Sequence, residues 1–149
     1  ASQIYYGDES SRLLEIDGAE GDANLRSFMN WDEIESNTVR HGIPVPEVLA
    51  HYQKLGQFRK AHPAVGAGKH RMISEKPYLF ARHFEQDGYL DQVVAGLDLD
   101  PGIKEIALGG LFEDGTVLMD YYSGQEAAVE SGSVRINSPH NMVLLGRQL

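Results

Sequence analysis

From Tyr78 onward, apolar and polar residues alternate with a period of two, and glycine-containing turns interrupt the alternation at short intervals. Strands of this length, spaced about 8–12 residues apart with turn signals between them, are typical of an antiparallel sandwich or barrel. The pattern predicts strands at Tyr78–Phe84, Gln92–Asp98, Glu105–Leu111, Val117–Tyr121, Ala127–Glu130, Ser133–Asn137 and Met142–Leu145. We therefore expect the second part of the chain to be an antiparallel β-sandwich.

The first part of the chain contains a different periodicity, that of a helix. Pro46 and Glu47 suit a first helical turn, and a cationic pair, Arg59-Lys60, suits the last one. Pro63 disfavours helix at His62. The apolar residues that share one face of this predicted helix are Val48, Leu49, Tyr52, Leu55, Phe58 and Ala61. A shorter helix is predicted from Trp31 to Asn37.

The chain opens on a strand-like run, Ile4-Tyr5-Tyr6, that Gly7-Asp8 ends at once. A strand without a neighbouring strand in sequence suggests that its partners lie upstream. From Ser10 to Asn30 turn-forming residues predominate, and loops of this length are often functional. We place the boundary between the two parts near residues 66–74 and expect two domains, 1–70 and 71–149, in an α+β fragment that is mainly antiparallel sandwich.

Composition excludes some classes of partner. The 149 residues carry a formal net charge of -9, which disfavours nucleic acid because its phosphates are also negative. There is no cysteine, so neither disulfides nor thiolate metal sites are expected. No apolar run approaches the roughly 20 residues of a membrane span, so we expect no membrane partner. The compartment stays open between secreted, periplasmic and cytoplasmic.

Sites for metals or cofactors are not expected. The histidines show no pair at the spacing of a zinc motif, and the sequence has neither a phosphate loop nor a dinucleotide fingerprint. Calcium binds through oxygen ligands, but no EF-hand spacing is present. We interpret the aspartates that could have served such a site as solvated turn charges: Asp87, Asp91, Asp98 and Asp100.

Several segments resemble, in order, the C-terminal part of the α-amylase family of glycoside hydrolases. The run from Ile4 to Glu9 resembles the segment at the eighth barrel strand, and Met29-Asn30-Trp31 resembles a segment between that strand and the eighth helix. The run from Leu49 to Pro63 is similar to the eighth barrel helix, which is the most specific of these motifs. Tyr78–Arg82 resembles the first strand of the family's C-terminal sandwich, and Asp120–Gly124 resembles a later hairpin of that sandwich.

The resemblance implies a retaining glycosidase on a (β/α)₈ barrel followed by a sandwich. Retention uses two carboxyl groups about 5–5.5 Å apart, which in the family follow the fourth and fifth strands, with a third, stabilising aspartate after the seventh. All three precede the Tyr-Tyr-Gly-Asp-Glu segment, so we expect no catalytic residue in this chain. The expected substrate of the parent enzyme is an α-glucan such as starch or maltooligosaccharides. Closing a barrel needs all eight units, so we expect residues 1–70 to require a partner, either the upstream barrel or another copy of this chain.

Because βα loops build the active site of a barrel, the resemblance places Asp8, Glu9 and Arg12 close to substrate. A second interpretation is that the two carboxylates stabilise their loop through hydrogen bonds and an ion pair to Arg12. Trp31 follows the long loop and could stack on a sugar ring or pack into an interface.

Two other functions stay open from the sequence. The parent could be a transglycosylase or isomerase of the same family that acts on sucrose, trehalose or a similar sugar. The chain could also be a stand-alone carbohydrate-binding or structural β-domain, although such a domain has no need of a barrel helix.

Overall fold

The computed structural model describes residues 3–148 and divides the chain into two compact units, one up to Gln53 and one from Lys54. The first unit consists of short elements joined by turns. They are two 3₁₀ turns, Asp8–Ser10 and Gly21–Arg26, the helix α1 at Trp31–Glu35, the strands β1 at Val39–Arg40 and β2 at Ile43–Pro44, and the beginning of α2 at Val45–Ala61. The two predicted helices are therefore confirmed, with α2 beginning one residue before Pro46.

The second unit is built from the end of α2, a short helix and eight strands. These are α3 (Pro63–Ala67), β3 (Lys69–Ser74), β4 (Tyr78–Gln86), β5 (Tyr89–Leu97), β6 (Gly102–Ala107), β7 (Val117–Asp120), β8 (Gln125–Ala128), β9 (Ser133–Ser138) and β10 (Val143–Gly146). Six strands form one sheet in the order β3-β4-β5-β10-β7-β8, and β6 pairs with β9 in a second sheet. All of these pairs are antiparallel, so the predicted fold class, mainly antiparallel sheet, is confirmed.

An apolar core fills the space between the two sheets. Ile106, Val134 and Ile136 point inward from the smaller sheet, and each is no more than 2% exposed. They belong to one cluster with residues of the larger sheet, Leu79, Ala81, Val94, Leu118, Val143 and Leu145. Alternate residues of a strand face the same side, so the period-two pattern of the sequence accounts directly for this core.

A second apolar cluster lies on the opposite face of the larger sheet, where the end of the helical segment packs. Phe58 of α2 and Ala64 of α3 contact the sheet there. The strand residues of this cluster are Val93, Ala95 and Leu144. Phe58 lies on the predicted apolar face of α2 and packs on the larger sheet, with Leu55 of the same face beside this cluster. Lys54 of the same helix lies with its Nζ 4.6 Å from the centre of the Tyr122 ring.

Three features differ from the sequence-based expectations. Residues 3–6 belong to no described strand, because a strand needs a hydrogen-bonded neighbour and none lies beside them within residues 3–148. Strand β3 falls in the segment that we assigned to the domain boundary. The chain also turns helical again at Pro63, in α3, because proline is well suited to a first helical position.

No helix within the described part of the chain is long and apolar enough to cross a membrane.

Candidate functional site: the loop around Arg12

Arg12 organises the loop that the sequence marked as substrate-proximal. Its side chain is largely buried, with the residue 8% exposed. The guanidinium donates hydrogen bonds to the carbonyl oxygens of Tyr6 (3.0 Å), Ser27 (3.1 Å) and Leu25 (3.3 Å), and to the Ser27 hydroxyl. It also stacks on the Tyr6 ring, 4.0 Å from its centre. One side chain therefore fastens the start of the loop to its end.

The two carboxylates of the loop stabilise its backbone. Asp8 Oδ2 accepts a hydrogen bond from the N–H of Tyr5 at 2.8 Å, and Glu9 Oε2 accepts one from the N–H of Gly7 at 2.9 Å. This confirms the hydrogen-bonding part of our second interpretation. The ion pair that we expected with Arg12 is wrong, because no carboxylate within residues 3–148 lies in a salt bridge with Arg12. The guanidinium donates its hydrogen bonds to backbone carbonyl groups instead.

Gly7 allows this arrangement. It adopts φ +91°, a conformation that L side chains rarely take. A Cβ at this position would lie 2.3 Å from Nε of Arg12. Any larger residue would therefore displace the guanidinium from its carbonyl acceptors.

Asn30 brings Trp31 next to this loop. Its Oδ1 accepts from the Ser10 hydroxyl at 2.7 Å, and its Nδ2 donates to the Ser10 carbonyl at 2.8 Å and to Glu33 Oε2 at 2.8 Å. Trp31 begins α1 directly after Asn30 and is 63% exposed. The structure thus gathers Asp8, Glu9, Arg12 and Trp31 into one region, and Trp31 is not packed into the core of its own unit. That these residues lie near substrate stays a prediction.

Glu33 extends the same network toward β1. The hydrogen bond from Asn30 holds the pKa of this carboxyl below its usual range against the opposing effect of burial, and the guanidinium of Arg40, which also bonds to Glu33, lowers the pKa further. Sequence reasoning missed Ser10, Asn30 and Glu33. The signal was available, because Asn30 and Glu33 have the spacing of an N-terminal cap and its third helical residue.

A buried polar pair in the second unit was also missed. His62 is fully buried between α2 and α3, and its Nδ1 lies 2.8 Å from Oδ1 of Asp91 on β5. The other oxygen of Asp91 accepts the N–H of Ala64 at 2.8 Å. Our interpretation of Asp91 as a solvated turn charge is therefore wrong. This carboxylate connects the helical segment to the sheet.

The neighbour of His62 on its far side is Gly146. A Cβ there would lie 2.4 Å from Nε2 of His62, so the imidazole fills the space that a side chain would need. Within the described residues Nε2 has no hydrogen-bond partner. The ring packs on Phe58 and Tyr121, with centroids 5.1 and 4.9 Å away. The pair is sealed from solvent, and its geometry is that of a structural connection.

Within residues 3–148, no three histidine or acidic side chains are grouped closely enough to hold a metal ion. The candidate site therefore consists of a loop stabilised by Arg12 and of an exposed aromatic residue beside it.

Comparison with known proteins relates the chain to alpha-amylases. No family model matches the sequence. The periplasmic alpha-amylase of Escherichia coli (strain K12) is 38% identical over 91 residues, which is 60% of this chain and 12% of that protein. The matched segment is thus a small part of the length of the curated relative.

Solved structures extend the likeness to nearly the whole chain. An alpha-amylase from Anoxybacillus, described as representing a new glycosyl hydrolase subclass, superposes with a TM-score of 0.58 at 21% identity over 97% of this chain and 29% of its own. AmyP, solved in complex with maltose, gives a TM-score of 0.57 at 19% identity over 95% of this chain and 30% of its own. At such identities the likeness establishes the fold, and this chain spans about a third of the relatives that share it.

Proposed function

We propose that this chain is the C-terminal part of an α-amylase-family enzyme, that it supports a catalytic barrel structurally, and that it contributes no catalytic carboxylate. In this role, residues 1–70 supply the last βα segment of the barrel and residues 71–149 form the sandwich domain behind it. The substrate of the complete enzyme is then an α-glucan. The whole enzyme would use a retaining mechanism, with its carboxyl groups on upstream strands.

The observation that carries this proposal is the attachment of the helical segment to the sandwich. Phe58 and Ala64 pack against the outer face of the six-stranded sheet. The buried His62–Asp91 hydrogen bond connects the helical segment to this sheet. A domain whose sheet is covered by a helix in this way holds the end of that helix in a fixed position. Such a contact suits a domain that stabilises the last helix of a barrel.

The partner that we propose is the rest of the barrel. The first unit leaves large apolar side chains in solvent, among them Phe28 (97% exposed), Trp31 (63%), Ile4 (62%) and Val39 (59%). Monomeric proteins rarely expose apolar surface of this extent without using it in an interface. A second copy of the chain is the competing occupant.

We further propose that Asp8, Glu9, Arg12 and Trp31 lie near the bound glucan. Asp8 and Glu9 hold the loop in shape through backbone N–H groups, and Arg12 ties it to residues 25–27. Trp31 then offers an exposed indole beside the loop, and such a ring can stack on a sugar. In this arrangement only Trp31 contacts the glucan, and the other three position its surroundings.

An activity assay on soluble starch tests the proposal directly. The 149-residue chain is expected to release no reducing sugar above the enzyme-free control. A longer protein translated from the same reading frame, including the upstream barrel, is expected to be active. Hydrolysis by the chain itself would contradict the assignment of the chemistry to other residues.

Affinity electrophoresis through gels that contain soluble starch separates the supporting role from that of a stand-alone binding domain. In the supporting role any retardation by starch comes from Trp31 alone, whereas a binding domain is retarded through other residues as well. Clear retardation that Trp31→Ala does not reduce would contradict the supporting role. The transglycosylase alternative is distinguished by incubating the longer protein with sucrose or trehalose and identifying the products.

A further inference from the structure

A cleft of about 340 Å³ opens at one edge of the sandwich, between β3, β4 and β5 on one side and the turn after β6 on the other. Five of its six strand residues share the face of the larger sheet that looks toward the smaller one, because Lys69 pairs with His83, Arg71 with Ala81 and His83 with Gln92. The sixth, His70, lies between Lys69 and Arg71 and therefore belongs to the other face. The volume lies at the lower end of the range for small-molecule sites, about 300–1,000 Å³.

The cleft concentrates positive charge in a chain whose net charge is -9. Lys69 and Arg71 stand two residues apart on the same side of the edge strand β3 and are both exposed. Neither forms an ion pair with any residue between 3 and 148. Arg71 donates one hydrogen bond to the carbonyl of Gly109 at 2.7 Å, which fixes the direction of its guanidinium and leaves its other N–H groups for a ligand.

The opposite end of the cleft is polar. The amide nitrogen of Gln92 lies 2.9 Å from Nδ1 of His83, so it donates to that atom. Nε2 of His83 lies 3.5 Å from the carboxylate of Glu85. The carbonyl oxygen of Gln92 is left as an acceptor for a hydroxyl group. Between the two ends the wall is apolar, formed by Ala81 and Leu111.

We propose that this cleft binds the phosphate monoester of a small polyhydroxylated molecule. Lys69 and Arg71 bind the phosphate, since cationic donors form the strongest hydrogen bonds to oxyanions. The carbonyl oxygen of Gln92 accepts a hydrogen bond from a hydroxyl group of the molecule that bears the phosphate. The cleft is larger than a bare phosphate requires. The proposal does not depend on the role of the chain in starch hydrolysis, because none of these residues belongs to the loop around Arg12.

Titration of the ¹⁵N-labelled chain, followed through the backbone amide signals of Lys69, His83 and Gln92, tests this inference. The probes are glucose 6-phosphate, inorganic phosphate and glucose at constant ionic strength. Glucose 6-phosphate is expected to bind at least about tenfold more tightly than glucose and at least about threefold more tightly than inorganic phosphate. Equal affinity for the two phosphates would overturn the assignment of an ester, and equal affinity for glucose would overturn the phosphate site.

Single substitutions locate the binding. Lys69→Gln is expected to weaken binding of glucose 6-phosphate by about three- to tenfold, whereas Lys69→Arg is expected to retain it. Lys60→Gln removes an exposed cation from α2 and serves as the matched control. Because Lys69 is exposed, its loss should leave the fold intact, which the unperturbed amide spectrum of the free variant would show. Binding that is unchanged in Lys69→Gln, or weakened as much in Lys60→Gln, would overturn the proposal.

Discussion

Two buried aspartates, Asp91 and Asp120, stabilise contacts between separate segments of the chain. Asp120 is fully buried and accepts hydrogen bonds from the N–H groups of Tyr122 (3.1 Å) and Leu144 (2.8 Å) and from the hydroxyl of Ser123 (2.5 Å). Asp91 is hydrogen-bonded in the same way to the imidazole of His62 and to the N–H of Ala64. A buried carboxylate is tolerated when donors surround it, and removing it leaves those donors without partners. Both aspartates therefore connect chain segments that are distant in sequence.

Asp91→Ala is expected to lower the free energy of unfolding by about 2–4 kcal/mol, because it leaves two buried donors, on His62 and Ala64, without an acceptor. Urea unfolding followed by circular dichroism measures the change. Asp100→Ala removes an exposed carboxylate nearby in sequence and should alter stability by less than about 0.5 kcal/mol. Similar losses in the two variants would show that the buried connection is not what stabilises this region.

His140 gives a prediction for pH dependence. Burial lowers the pKa of His140, and the charge of Lys54 lowers the pKa further, while Asp120 opposes the shift. The pKa of the folded state is thus below that of the unfolded state, near 6.5. Below that pH the unfolded chain binds more protons, so this contribution to stability is present above pH 6.5 and is lost as pH falls through the folded pKa.

Lys54→Met should raise the pKa of His140, because it removes a positive charge and keeps most of the apolar stem. Proton NMR titration of the imidazole, with the signal identified by its absence in His140→Gln, measures the shift. Lys60→Met, on the exposed side of α2, should leave the pKa where it is. A pKa that does not move in Lys54→Met would mean that the charge of Lys54 does not reach His140.

At the scale of elements, the sequence predicted those whose side chains alternate between a core and solvent. In β6 and β9 buried and exposed residues alternate, and Ile106 and Val134 point into the core. β9 begins at the predicted residue, whereas β6 begins three residues before the predicted strand and ends at Ala107. β3 was missed because four of its six residues, beginning at Lys69, are exposed and polar or unbranched, so an edge strand of this kind carries no period-two signal. The family resemblance, which rests on ordered motifs and not on periodicity, is confirmed by the likeness to known alpha-amylases.

The candidate site was predictable only in part, because its contacts join segments with irregular backbone. The residues around Arg12 were singled out by their place in the family pattern. The hydrogen bonds from Arg12 to Leu25 and Ser27 span 13 and 15 residues of loop, and no periodic rule relates such positions. An ion pair with Asp8 or Glu9 was the simpler expectation from charge. In the structure the guanidinium instead donates to the backbone carbonyl groups of Tyr6, Leu25 and Ser27.

The loop from residue 13 to residue 30 should open when Arg12 is replaced. Arg12→Lys keeps the charge but cannot reach three carbonyls at once, because lysine lacks the planar fork of arginine. We expect thermolysin to cleave this loop about tenfold faster or more, since cleavage follows the population of the open form. Arg26→Lys makes the same exchange at an exposed position and should be cleaved at the rate of the unchanged chain. Equal rates in the two variants would contradict the role of Arg12.

At the scale of the whole molecule, the two units differ in how completely they bury apolar surface. The second unit has two apolar clusters, one between its sheets and one beneath its helical segment. The first unit has short elements, and Val45 is its only fully buried large apolar side chain within the described residues. This difference is the expected one if the first unit completes its core with other polypeptide. It also means that the first unit should associate with whatever apolar surface it meets.

That tendency can be measured through Trp31, which is the single tryptophan of the chain and is 63% exposed. At low concentration its fluorescence should be that of a solvated indole, and the emission should shift to shorter wavelength as concentration rises and copies associate.

Phe28, at 97% exposure, should dominate this association, because burying one phenylalanine contributes about 2–3 kcal/mol. Phe28→Ser is therefore expected to weaken self-association about tenfold or more, as measured by sedimentation equilibrium. Val117→Ser removes an exposed apolar side chain from the second unit and should leave association unchanged. A chain that stays monomeric with constant emission at high concentration would show that its apolar surface needs no partner, and the proposed contact with a barrel would lose its physical basis.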